Sequence, residues 1–282
     1  MNARRILLKN VSNMRDLGGF ATKEGQATQF GRFYRSNVPA MLSYEEVKYL
    51  KRLGVQALID LRTTSEVRRV PNQLSSDHSF NYFHISVMDG DIDQLPESAE
   101  AIPASYLAMA DNHKKMGEIF KILTLSNGAT IFHCTAGKDR TGVVAALLLS
   151  LAGVGQDDIL ADYQVTHTYI RREIIEITKH HDTNTDLPWY IGRSDIEFMT
   201  GFLEMFFEKY HTIENYMQII GLSEGEIVLL KNKLVNQRSF DKQQFFFKIT
   251  PPSPTFAEHM TETEEKIMDD HFFYWKDLFE MG

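Results

Sequence analysis

One cysteine, Cys134, is all that the 282-residue sequence offers for thiol chemistry. An intramolecular disulfide is therefore excluded, and a reducing compartment is the simpler expectation. Long apolar runs are missing as well. The N-terminal stretch "MNARRILLKN" has only three apolar residues in a row, Ile6 to Leu8, too few for the core of a cleaved secretory signal. No run approaches the length needed to span a bilayer. We expect a cytoplasmic protein without stable membrane insertion; export without a cleaved signal is the alternative. Positive charge is in the minority: 30 Lys and Arg against 38 Asp and Glu give a net charge of -8, which excludes a broadly basic surface for nucleic acid. The ten histidines, His180 and His181 among them, show no zinc-ligand spacing, so neither a metal nor another cofactor is expected. Oligomeric state has no signal in the sequence.

What is present is an ordinary globular balance, 43% hydrophobic and 24% charged, enough for a substantial core. "GGFATKEGQATQFGRFYRS" reads as two short strands around a turn at Lys23 to Gln26. "SYEEVKYLKRLG" reads as a helix with a capping box, Ser43 and Glu46, a stop at Gly54, and Val47, Leu50 and Leu53 on one face. "VQALIDLR", "NYFHISV" and "ATIFHC" read as strands, the first as a buried parallel one. Residues 102 to 126 read as helix. "TGVVAALLLSLAG" is an apolar helix ended by Gly153. From Gln156 onward the chain reads almost wholly helical, with a second capping box at Ser223 and Glu226. The expected fold is α/β, a central mostly parallel sheet flanked by helices, with a helical extension over 156–236. Residues 1–236 would form the catalytic domain and 237–282 a tail of different character.

The informative stretch is "IFHCTAGKDRTGV", Ile131 to Val143. Between a buried strand and a helix N-terminus, the amides of Thr135, Ala136, Gly137, Lys138, Asp139 and Arg140 would converge on a tetrahedral dianion. Gly137 permits the tight turn. Arg140, six residues past Cys134, can grip two phosphate oxygens with its planar fork. The same donors favour a thiolate, which makes Cys134 a candidate nucleophile toward the phosphorus held there.

Cys-x5-Arg followed by Thr resembles the signature of the protein tyrosine phosphatase superfamily. "NMRDLGG" (13–19), "GRFYRS" (31–36), "LIDLR" (58–62) and the "AGKDRTG" loop narrow the resemblance to a bacterial branch, over roughly residues 10 to 175. The resemblance implies a cysteine-dependent phosphatase acting on phosphotyrosine, some members also on phosphoserine, phosphothreonine or phosphoinositides. A phosphorylated protein or a phosphoinositide is thus the expected partner.

Leaving-group departure needs a general acid. The Trp-Pro-Asp loop of the best-known tyrosine phosphatases is absent from this sequence. Asp139 inside the loop, where the bacterial branch is similar in placing an aspartate, is favoured over Asp89 in "VMDGDID". Arg140 beside it favours the ionised form; a bound dianion favours the protonated one. His133 is expected to orient the loop, and Thr141 to donate its hydroxyl to the cysteine sulfur. In the branch the aspartate of "IDLR", Asp60, is thought to brace the loop arginine; the alternative is a cap for a helix at "TTSEVRR". Lys138 resembles the loop lysine of inositol-lipid phosphatases. Arg15 and Asp16 are expected to form a buried ion pair. The polar segment "HHDTNTDLPWYIGRSD", with Trp189 and Tyr190, reads as a mobile lid.

Two other readings compete. A rhodanese or arsenate reductase also uses a cysteine in an anion cradle, but reductases of this kind rely on further cysteines and a rhodanese has no need of "GKDRTG". A catalytically dead phosphate-binding module gains no support, since Cys134 and Arg140 are both present.

Overall fold

The computed structural model describes residues 3–88, 96–180, 188, 190, 192–235, 261, 263, 264 and 266. The chain separates into two units, Met1–Phe240 and Asp241–Gly282. In the second, Thr261 and Glu264 form a reciprocal helix cap.

The first unit is built on a five-stranded sheet: β1 (Arg15–Asp16), β2 (Phe33–Ser36), β3 (Val55–Asp60), β4 (Asn81–His84) and β5 (Ala129–His133), in the order β1-β2-β5-β3-β4. Only the β1–β2 pair is antiparallel. β5 thus inserts between two strands that precede it, and its last residue, His133, pairs with Ser36 of β2 and Asp60 of β3. Whatever follows His133 emerges between the C-terminal ends of its neighbours, where open parallel sheets place their ligands.

The strands alternate between two cores. Phe33, Ile59 and Phe132 face one apolar cluster, while Tyr34, Leu58 and Ile131 face the other. The smaller cluster is closed by Ile6, Val11 and helix α1 (Tyr44–Arg52), whose Leu50 is fully buried. The larger one is closed by helices α3 (Ile102–Asp111), α4 (His113–Leu125), α5 (Asp139–Leu151), α7 (Ile196–Tyr210), α8 (Ile213–Ile219) and α9 (Glu224–Leu234). α5 runs through its middle, buried at Thr141 to Leu149 and at Leu151, which explains its unbroken apolar sequence. The long helix α6 (Gln156–His180) follows. None of the helices among the described residues is long and apolar enough to cross a membrane.

Both expected capping boxes are present, at Ser43/Glu46 and Ser223/Glu226. Two local expectations differ. The strand pair around Lys23–Gln26 forms no regular ladder: it has one isolated bridge, Ala21 to Ala27, with the Thr22 amide donating to the Gln26 carbonyl (2.9 Å) across the turn, while Thr22 also bridges Val154 and the Lys23 amide donates to the Gly153 carbonyl (2.8 Å). The helix over 102–126 is two helices. Asn112 leaves helical geometry (φ -75°, ψ 67°), and its side chain caps α4. A further short helix, α2 (Thr64–Arg69), is capped by Thr63 and Glu66, not by Asp60.

In the helical half, Tyr163, Ile170, Phe198, Phe202 and Phe206 are core. Tyr169 is half-buried under the Arg5 guanidinium, 3.9 Å from its ring centre. Of the segment read as a lid, Trp189 lies outside the described residues; Tyr190 is buried and its hydroxyl donates to the Pro96 carbonyl (2.6 Å).

One buried carboxylate ties α6 to the sheet. Asp162 accepts from Arg15 Nε (2.8 Å) on β1 and Arg35 Nη1 (2.6 Å) on β2, all three side chains being almost wholly buried. Burial alone would push its carboxyl up in pKa; Arg15 and Arg35 outweigh that and hold it well below the usual range. The expected Arg15–Asp16 pair does not form. Adjacent strand residues point to opposite faces, and Asp16 instead accepts from the amides of Gly18 (2.8 Å) and Gly31 (2.7 Å).

Asp162→Ala leaves two buried guanidinium groups without their carboxylate and should cost about 3–5 kcal/mol of stability. Urea denaturation at neutral pH measures this; a loss below about 1 kcal/mol would show that the pair does not hold the fold.

Candidate active site

The residues after His133 form a loop whose carbonyls are pulled away from its centre. Asn13 Nδ2 donates to the carbonyls of Ala136 (2.8 Å) and Gly137 (3.1 Å). Arg35 Nη2 donates to Gly137 (2.9 Å) and Lys138 (3.4 Å), and the Val38 amide takes Thr135 (3.1 Å). In a planar trans peptide the N–H points opposite to the C=O. Fixing the carbonyls of 135 to 138 outward therefore turns the amides of 136 to 139 inward. Consistent with this, the amides of Thr135, Ala136, Gly137, Asp139 and Arg140 donate to no backbone or side-chain acceptor among the described residues. Gly137 has φ +69°, and a Cβ there would lie 2.3 Å from the Ser36 carbonyl oxygen. Both the left-handed backbone and the close approach to β2 require glycine.

Cys134 is buried at the base of this loop, at 2% exposure. The loop leads directly into α5, whose free N-terminal amides and dipole add to its positive character. Arg140 sits in the first turn of α5. Its Nη1 and Nη2 form a two-pronged pair with Glu66 of α2, at 2.5 and 2.7 Å. Burial works against the charged guanidinium, but Glu66 and then Cys134 outweigh it and hold its pKa above the ordinary value. Glu66 in turn is lowered to about 2: burial opposes the shift, and the Arg140 pair overrides it. Glu66 also accepts from the Thr135 hydroxyl (2.5 Å) and the Thr63 amide (2.9 Å), so one side chain caps α2, ties the loop and aims the arginine.

Asp60 does not brace Arg140. It takes Arg62 through Nε (2.9 Å) and Nη2 (2.7 Å), and the Tyr82 hydroxyl (2.8 Å). Its role is beneath the loop, 3.6 Å from His133 Nε2. His133 itself is assigned by its partners. The Leu74 amide donates to Asn72 Oδ1, so the Asn72 Nδ2 group faces His133 Nε2 (2.8 Å) and must donate to it. Nδ1 then carries the proton, toward the Cys134 carbonyl (3.1 Å). Burial lowers the imidazole pKa, in keeping with this neutral form.

Two expected contacts turn out otherwise. The Thr141 hydroxyl is buried but bonds neither the cysteine sulfur nor any other described group. Lys138 is turned onto the Arg193 carbonyl (2.8 Å) and Asp139 (3.3 Å). Asp89 lies outside the described residues, so of the two candidate acids only Asp139 is placed. Its carboxyl is 38% exposed, next to Arg140 in the chain, and accepts a short hydrogen bond from the Tyr106 hydroxyl. Asn13, Arg35, Glu66, Tyr106 and Asp162 were not singled out by sequence. The Thr63–Glu66 cap spacing was visible, and Asn13 and Arg35 lie inside the matching motifs; nothing in one sequence marks Asp162 or Tyr106. Among the described residues no group of three or more His, Cys, Asp or Glu could hold a metal ion.

A profile of the tyrosine phosphatase family matches residues 6–236. The chain belongs to the tyrosine phosphatase family. A Cupriavidus necator protein with a provisional tyrosine-protein phosphatase name is 37% identical over 169 residues, 56% of this chain and 61% of that protein. The match thus spans less than two thirds of that relative. A tyrosine-protein phosphatase of Nostoc commune is 33% identical over 66% of this chain and 68% of its own. The triple specificity protein phosphatase PtpB of Mycobacterium tuberculosis is 24% identical over 81% of this chain and 98% of its own. In this tyrosine phosphatase family member the matched region includes the loop, α2, α6 and the Asp162 network.

Glu66→Gln keeps the shape of the Arg140 brace and removes its charge. Turnover efficiency on an aryl phosphate should fall about tenfold or more, as expected when a positioned group loosens. A carboxyl lowered from 4.5 to about 2 contributes stability that is complete above about pH 4.5 and lost as pH falls toward 2. Denaturation series at pH 6 and pH 3 should therefore show the parent losing its advantage over Glu66→Gln at the lower pH. An advantage that grows on acidification contradicts the pair.

Proposed function

We propose that the protein is a cysteine-dependent phosphatase that hydrolyses phosphotyrosine through a phosphocysteine intermediate on Cys134. The outward-held carbonyls of 135–138 around a buried cysteine are the observation that carries this reading. A cradle of amides with a guanidinium beside it binds a phosphoryl group as its charge develops, without a metal. Cys134 attacks phosphorus while the ester oxygen leaves with a proton from Asp139. Water then attacks the phosphocysteine, Asp139 takes its proton, and inorganic phosphate and the thiolate are released. His133 and Glu66 hold the loop and the arginine in place. The catalytic domain would comprise residues 1–236, with 156–236 its helical extension.

Phosphotyrosine is the primary substrate proposed because the names of the relatives point to it. PtpB is called triple specificity, so further substrates belong in the same assay; phosphoserine, phosphothreonine and phosphoinositides are those that the motif resemblance suggests. Lys138 is engaged on Arg193 and Asp139, so its charge gives the inositol lipids no preference.

Phosphate release from p-nitrophenyl phosphate should persist in chelator and disappear in Cys134→Ser and Arg140→Ala. Activity surviving in Cys134→Ser, or dependence on an added divalent ion, rules the mechanism out. Phosphate binding without turnover in the parent would mark a binding module, and thiosulfate or arsenate turnover one of the other enzyme classes.

Asp139→Asn should slow aryl phosphates with poor leaving groups about 100-fold or more, and those with good leaving groups far less. A flat response across leaving groups removes Asp139 from the acid role.

A further inference from the structure

The Asp139 carboxyl is held asymmetrically. Its Oδ1 accepts from the Tyr106 hydroxyl on α3 and lies 3.3 Å from Lys138 Nζ, while Oδ2 has no hydrogen-bond partner among the described residues. Tyr106 is fully buried, and its oxygen lies 2.7 Å from that of Tyr163 on α6. A phenol has one proton. If Tyr106 gives its proton to Asp139, Tyr163 must donate to Tyr106. The result is a one-way chain, Tyr163 to Tyr106 to Asp139 Oδ1. Burial, and for both the charge of Asp139, raises the two phenol pKa values well above the ordinary one, so both keep their protons across the working pH range.

We infer that Tyr106, supported by Tyr163, is a positioning residue that fixes the Asp139 carboxyl and reserves Oδ2 as the oxygen that gives up and recovers the proton. This rests on the Asp139 general-acid reading. A free carboxyl turns about its last torsion and exchanges its two oxygens. One buried donor on Oδ1 prevents that exchange, leaving the acid proton on Oδ2. After proton transfer the same donor stabilises the carboxylate, which must next accept a proton from water. Tyr106 also packs edge-on to Tyr163 and Phe202, both at 6.1 Å between ring centres, so replacing tyrosine with phenylalanine keeps the packing and removes the hydroxyl, both the donor to Asp139 and the acceptor for Tyr163. The other charged groups facing this chain are Arg140 and Lys138 from the loop, Arg35 from β2 and Asp195 ahead of α7. All four are unchanged in the test.

Tyr106→Phe and Tyr163→Phe are compared with the parent and Asp139→Asn across aryl phosphates of graded leaving-group strength, with kcat recorded against pH. Tyr106→Phe should lose about tenfold in kcat on the poorest leaving groups and under about threefold on the best, a fraction of the full acid contribution. Without the donor the carboxylate is less stable, so the alkaline limb of its kcat profile should move to higher pH. Tyr163→Phe should shift both readouts the same way and by less. A uniform loss on all substrates with an unmoved alkaline limb makes Tyr106 merely structural and overturns the inference. Parental behaviour of Tyr106→Phe beside a steep Asp139→Asn also overturns it. A flat Asp139→Asn response instead sinks the acid reading itself, and the inference with it. A cooperative melting transition well above the assay temperature in both phenylalanine variants separates these outcomes from misfolding.

Discussion

The Asp162 carboxylate, closed between the guanidinium groups of Arg15 and Arg35, is the interaction on which the site depends. An isolated buried charge of either sign would be prohibitively costly; each here is tolerable only because the others are present. Arg35 passes the constraint on. One of its terminal nitrogens is fixed by Asp162 and the other holds the carbonyl of Gly137. Arg15 orients Asn13 through its Oδ1 (2.5 Å), and Asn13 holds the carbonyls of Ala136 and Gly137. A carboxylate on α6 therefore sets the direction of amides in a loop that it never touches. Arg15 bears the strain of the arrangement, its pKa lowered to about 10 by burial and by Arg35.

Four carboxylates around the loop are distinguished by their surroundings. Asp162 is sealed among arginines. Asp60 is satisfied by Arg62 and Tyr82 beneath His133. Glu66 is committed to Arg140 and kept ionised. Asp139 alone combines partial exposure with an oxygen free of described partners, the conditions a proton carrier needs. The division of labour follows from how many donors each carboxylate has been given.

The strand–loop–helix unit was legible because its signals are local. β5 and α5 are apolar runs that bury on all sides, and Cys134, Gly137 and Arg140 lie within seven positions of each other. Helix caps were legible for the same reason, a three-residue spacing. Partners across distant segments were not. Arg140 finds Glu66, 74 positions away, and Arg15 finds Asp162, 147 positions away. A single sequence carries no record of such pairings. Asp60 was assigned to the wrong arginine because its position at the strand end is right for the site, but Arg62, two residues on, satisfies it first. Arg15 and Asp16 do not pair because adjacent strand residues face opposite ways, and a strand of two residues carries no alternation by which a sequence could mark it.

The insertion of β5 between β2 and β3 also has a meaning in time. During synthesis the two outer members of this trio appear first, and neither can complete its inner edge until residues 129–133 arrive. Asn13, Arg35 and Val38, which hold the loop carbonyls, precede the loop in the chain, whereas Asp162, which fixes Arg15 and Arg35, follows it. A chain interrupted before Asp162 carries the whole of HCTAGKDRTG without the carboxylate that holds Arg15 and Arg35. The motif and the carboxylate that supports it are thus completed at different points along the chain.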